Sequence, residues 1–202
     1  MTGETDLHRQ EISLLHVACQ ENLVLTATFI AQKYPLMMRQ QSQACWTPLM
    51  SACEQGNLEV IKVLVGTGGP SLLEFASNGG TPLHAAISCN ITASEPISSE
   101  KDEQDEKDEN DELDFTQRAY HTVQLLVQLY KHEGGEAKRL TNMKDLNGVS
   151  PLMLACFIGD TSIVEFLLEN GADPLLASSP ANVTVLHVCA ERGFYGIASM
   201  IL

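Results

Sequence analysis

The chain has 202 residues, and 26 acidic against 12 basic side chains give it a formal net charge of −14. That balance argues against electrostatic binding to nucleic acid or anionic lipid, because both require cations to neutralise phosphates; a basic or peptide-like protein partner fits it better. Apolar residues at 44% supply a sizeable core, aromatics at 5% are too few for a sandwich or barrel built on Tyr and Trp, and no apolar run of about 18 residues is present to span a bilayer.

At the N-terminus, Met1-Thr2-Gly3-Glu4-Thr5-Asp6 carries acids where a signal peptide carries cations, and no apolar stretch follows, so the expected compartment is the cytoplasm or the nucleus. A tetrapeptide then recurs along the chain: Ser13-Leu14-Leu15-His16, Thr47-Pro48-Leu49-Met50, Thr81-Pro82-Leu83-His84, Ser150-Pro151-Leu152-Met153 and Thr184-Val185-Leu186-His187. The leading hydroxyls are separated by 34, 34, 69 and 34 residues, so a single interval is anomalous. Each hydroxyl predicts a helix N-cap, and proline directly after it suits the first helical position, where its missing N–H costs nothing.

Small residues follow five or six positions on, at Ala18-Cys19, Ala52-Cys53, Ala86, Ala155-Cys156 and Cys189-Ala190, where two helices must approach closely. Nine positions on, Asn22, Gly56, Asn90, Gly159 and Gly193 predict the left-handed end of that first helix. Apolar stripes at Ala27-Phe29-Ile30, Ile61-Val63-Leu64, Val164-Phe166-Leu167 and Ala198-Met200-Ile201 then predict second helices. In the third unit the stripe falls at Val123-Leu125-Leu126-Val127, which places 28 extra residues between its helices and seven after them.

These motifs together resemble the ankyrin repeat, and the resemblance covers nearly the whole chain outside one insertion. It implies an all-α solenoid of stacked helix pairs with short hairpin loops, in which no unit buries its apolar face alone. The implied units are residues 8–41, 42–75, 76–144, 145–178 and 179–202. The first and last lack the proline, as atypical end units do, and the last stops within its second helix, which reads as a piece of a longer protein.

From Glu95 to Asp114 eleven acids and two lysines leave a local charge of −9. A segment so charged and so poor in bulky apolar side chains cannot offset its ordering entropy, so residues 91–116 are expected to form a disordered acidic loop, with the helix resuming near Phe115 to Tyr120. One reading makes it a tether for a basic partner or a regulated tail, with Ser99 and Asp102 resembling an acid-directed kinase site. The blander reading is a tolerated, solvating insertion, since loop length costs little stability.

Candidates for chemistry are few. Histidines 16, 84 and 187 sit in separate units without the i, i+4 spacing of a helical metal site; the resemblance implies that they hydrogen-bond between neighbouring units. Cys19, Cys53, Cys156 and Cys189 occupy the small-residue position, where a thiol acts as a small hydrophobe, while Cys45 and Cys89 fall at a hairpin tip and a helix end and are expected to be exposed. All six are expected to be reduced. The glycine clusters Gly66-Thr67-Gly68-Gly69 and Gly134-Gly135 lack the lysine and spacing of a phosphate loop. No catalytic, cofactor-binding or metal-ligating residue is assigned, and neither enzyme activity nor a small-molecule substrate is expected.

The resemblance implies recognition on a concave face made of hairpin tips and the open flank of each first helix. The residues at those places include Gln43, Trp46, Asn78, Leu146, Asn147 and Val149 at the tips, with Glu54, Gln55, Phe157, Ile158 and Arg192 on the flanks. Trp46, Phe157 and Ile158 are large and apolar at positions expected to be open, so they are the expected anchors; partial burial of Trp46 against a neighbouring tip is the competing reading. The implied function is a protein-interaction module. The alternative is a regulatory or substrate-recruiting region of a larger protein, such as an ion channel, acyltransferase, kinase or ubiquitin-ligase subunit, whose activity lies beyond residue 202.

Overall fold

The computed structural model describes residues 13–76, 80–93, 115–179 and 181–202, with the backbone alone at 89–93 and 115. The described chain is all-α, with no extended strand: α1 Leu14–Gln20, α2 Val24–Lys33, α3 Pro48–Gln55, α4 Leu58–Gly68, α5 Pro82–Ala93, α6 Phe115–His132, α7 Ala137–Thr141, α8 Pro151–Ile158, α9 Thr161–Glu169, α10 Val185–Arg192 and α11 Tyr195–Ile201. Short 3₁₀ turns at Pro35–Arg39 and Pro70–Leu72 follow α2 and α4. These turns and α7 carry no signal in the repeat pattern, which ends each unit at its second helix.

Local chemistry sets the helix ends. The Thr47 hydroxyl accepts the Met50 N–H at 3.3 Å and the Ser150 hydroxyl accepts the Met153 N–H at 3.2 Å, each with proline in the first turn. Asp160 does the same for Ile163 at 3.0 Å, satisfying donors that a helix start otherwise leaves open. Gly159 ends α8 at φ +88°, and a Cβ there would lie 2.7 Å from the Phe194 ring, so backbone and packing both require glycine.

Two expectations about elements need correction. Asn90 does not end the first helix of its unit, because α5 continues to Ala93. A left-handed stop is needed only where the chain must turn back at once into the second helix, and here a long connection precedes α6. The expected loop at 91–116 therefore narrows to 94–114, since α5 takes in 91–93 and α6 begins at Phe115; the disorder expected of it, and the Ser99 motif, lie outside the described residues. The buried stripes are also narrower than the apolar runs. In α2 the buried residues are Ala27, Ile30 and Ala31, whereas Phe29 is 60% exposed; in α11 Ile197 is buried and Met200 is 48% exposed. Phe29 lies two positions after Ala27 and two before Ala31, so it faces away from both.

The first helices α1, α3, α5, α8 and α10 pack on one another in that order, as do the second helices α2, α4, α6, α9 and α11. Paired contacts join the layers at α1–α2, α3–α4, α5–α6, α8–α9 and α10–α11. Leu15, Leu49, Leu83 and Leu152, the third residue of four of the tetrapeptides, are fully buried in one continuous core, and burial of each such side chain contributes roughly 1.5–3 kcal/mol. Cys19, Cys53, Cys156 and Cys189 lie in the same core as free thiols. Burial pushes the Cys19 thiol up to about 12 and that of Cys53 well above the ordinary range.

Candidate protein-interaction surface

Two of the loops that precede first helices, those ahead of α3 and α8, are fixed in place by a histidine of an earlier unit. The carbonyl of Trp46 can only accept, so His16 Nε2 carries the proton and donates to it at 2.8 Å, while Nδ1 accepts from the Ser13 hydroxyl at 2.8 Å. His84 repeats this arrangement. Its Nδ1 accepts the Thr81 N–H at 3.3 Å and lies 2.8 Å from the Thr81 hydroxyl, and Nε2 donates to the carbonyl of Val149 at 3.0 Å. Burial lowers the pKa of both rings and outweighs the opposing pull of the carbonyls. His187 makes the equivalent contact to Thr184 and is exposed.

Each described tip is also braced internally. Asp145 Oδ1 accepts the N–H groups of Asn147 at 2.9 Å and Val149 at 2.8 Å. The Asn147 carbonyl in turn accepts the Ser179 N–H of the next loop at 3.0 Å. At the earlier tip Ser42 and Trp46 exchange two hydrogen bonds, and Cys45 takes a left-handed conformation at φ +60°. The braces hold Gln43, Asn147 and Leu146 outward, the last 69% exposed.

On the first-helix flanks, Phe157 closes α8 with its side chain 46% exposed, and the Arg192 guanidinium of α10 lies over its ring, 3.7 Å from the centroid. This cation–π contact holds an aromatic face and a positive charge together across two neighbouring units. Gln55 is exposed at the end of α3. Glu54 is half-buried, and burial raises its carboxyl pKa against the lowering effect of its hydrogen bond with Gln55.

The expected anchors divide. Phe157 is open, but Trp46 and Ile158 are half-buried and pack on the core, as does Val149. Trp46 is drawn in because its carbonyl is tied to His16, and Ile158 lies one residue and so about 100° around α8 from Phe157, toward the core. Asn78 lies outside the described residues. Leu146 did not stand out among tip residues in the sequence, and the Arg192–Phe157 contact depends on the relative rotation of α8 and α10, which residue spacing does not encode.

Among the described residues no three His, Cys, Asp or Glu side chains converge as metal ligands, and no helix is long and apolar enough to cross a membrane. The family model for ankyrin repeats (three copies) matches residues 15–97 and 116–202. Ankyrin repeat family A protein 2 of Mus musculus and of Homo sapiens are each 37% identical over 59 residues, 29% of this chain and 19% and 18% of theirs. Protein fem-1 homolog A-like of Mus musculus is 37% identical over 68 residues, 34% of this chain and 10% of its own. The matched stretch thus spans under a fifth of the length of these relatives.

Proposed function

This chain belongs to the ankyrin-repeat family, whose units are in general protein-interaction modules, and from that premise we propose that it docks a protein segment on the concave face lined by first helices and loop tips. The observation that carries the reading is the Phe157–Arg192 contact: a half-open aromatic ring with a guanidinium at 3.7 Å. Aromatic and Arg side chains are the usual hot spots of interfaces, and here each is held before any partner arrives, which lowers the ordering cost of binding. Gln43, Gln55 and Asn147 supply polar contacts around this anchor, with Leu146 as a second apolar one. The interaction belongs to the cytoplasm or nucleus, a reading supported by four buried free thiols.

A second reading rests on the lengths of the relatives. Because the matched stretch is a small share of each, the array also fits a recruiting or regulatory region of a larger protein whose activity resides outside residues 1–202.

Hydrogen exchange of the chain with and without a captured partner tests the docking surface. Protection should concentrate on the amides of the loops at 41–46 and 143–149, the end of α8 and the end of α10. Protection confined to α2, α4 and α9 would move the interface to the opposite layer and overturn the proposal.

A further inference from the structure

Beyond the loop-tip surface, the second-helix layer contains a separate groove between α6 and α9, of about 420 Å³. Tyr120 and Phe166 form its aromatic wall, edge to face with ring centroids 5.9 Å apart at 78°. Asp160, Glu165 and Glu169 add three carboxyl groups to the lining, and no Lys, Arg or His contributes to it. Asp160 is engaged as the cap of α9, accepting from Ile163. Glu165 and Glu169 are exposed and, among the described residues, join no ion pair. Lys131, beside the end of α9, donates to Asn170 Oδ1 at 2.7 Å rather than to either glutamate.

The placement of these two acids works against the helix that carries them. They stand at i, i+4 with the same sign, which destabilises a helix. Glu169 also ends α9, where the helix dipole favours cations, and the last turn holds no basic residue. A local choice that opposes the fold marks a place where function has set the residue. An external cation relieves both conflicts at once, and the aromatic wall of the groove attracts the same charge.

We propose that this groove takes an arginine side chain from a basic protein segment. The planar guanidinium suits it because it pairs with carboxylates through several N–H donors and stacks on an aromatic face, which an ammonium does less well. The acidic stretch of net charge −9 enters α6 at Phe115, one residue before Thr116 of the lining.

The test titrates the full chain with a short Gly/Ser peptide carrying a pair of arginines, and with the same peptide carrying citrulline, while amide shifts are recorded. The arginine peptide should bind with shifts confined to 116–120 and 160–169, and the citrulline peptide should not. The double variant Glu165→Gln, Glu169→Gln should bind roughly tenfold more weakly, as expected for the loss of a charge-assisted hydrogen bond, while melting no lower than the parent. Phe157→Ala should leave this binding unchanged, so failure of the loop-tip proposal and failure of this one are distinguishable. Equal affinity of the double variant, equal binding of the citrulline peptide, shifts located elsewhere, or no binding of the arginine peptide would each overturn it.

Discussion

His84 donates from Nε2 to the carbonyl of Val149 at 3.0 Å across 65 positions of sequence. The equivalent bond from His16 to Trp46 crosses 30. The same contact between neighbouring units is therefore kept although 35 further residues intervene in the third unit. Across the insertion α5 still packs on α8 as α3 packs on α5.

Those histidines make stability depend on pH in a defined direction. Burial lowers both ring pKa values from 6.5 in the folded state, so below about pH 6.5 the unfolded chain binds more protons than the folded one and stability falls with pH. Above the unfolded value the contribution is fully present; it is lost as pH falls toward the folded values. The raised Glu54 pKa acts the other way, and only near the carboxylate range. Thermal melts should show a plateau above about pH 7 and a falling Tm below about 6.5. His84→Gln should cost about 1–2 kcal/mol at neutral pH and flatten that fall; an unchanged slope would contradict this account.

Replacing residues 94–114 by a short Gly/Ser linker should leave Tm within a few degrees of the parent and raise the isoelectric point. Loop length enters stability only logarithmically, and the segment carries a net charge of about −9 with little to bury. A loss of several kcal/mol, read from denaturant titration, would mean that the segment packs on the array.

How far the sequence foretold these features depends on how local their causes are. Thr47, Ser150, Gly56 and Gly159 act within one turn of a helix, and the structure places them at the helix ends the pattern predicts. Asn90 failed as a stop because whether a helix must end there depends on how soon the next one follows. Phe29 stands in an apolar run yet stays out of the core, because on α2 it is two positions from both Ala27 and Ala31. The interaction surface was legible only as positions. That Phe157 stays open while Ile158 turns inward, and that Arg192 meets Phe157, depends on how α8 and α10 pack, which no residue states alone.

Thiol reactivity should divide the cysteines. Cys45 lies at a loop tip and is half-buried, whereas Cys19, Cys53, Cys156 and Cys189 are buried with pKa values raised by desolvation. The thiolate is the reactive form. In native protein Cys45 should react before those four, which should wait for unfolding, and denatured, freshly purified protein should titrate all six as free thiols. A stoichiometric disulfide would contradict both the core packing and the proposed cytoplasmic or nuclear location.

If a protein partner docks on the loop-tip surface through Phe157, as proposed, its affinity for the Phe157→Ala variant must fall. Phe157 is preferable to Trp46 for this purpose, because Trp46 packs on the core and its backbone serves His16. With the ring half-exposed, its loss should cost the fold less than the 3–5 kcal/mol typical of a buried aromatic. Binding should weaken by roughly 1–3 kcal/mol, within the range of interface hot spots. A folded variant that binds the same partner with unchanged affinity would contradict the account.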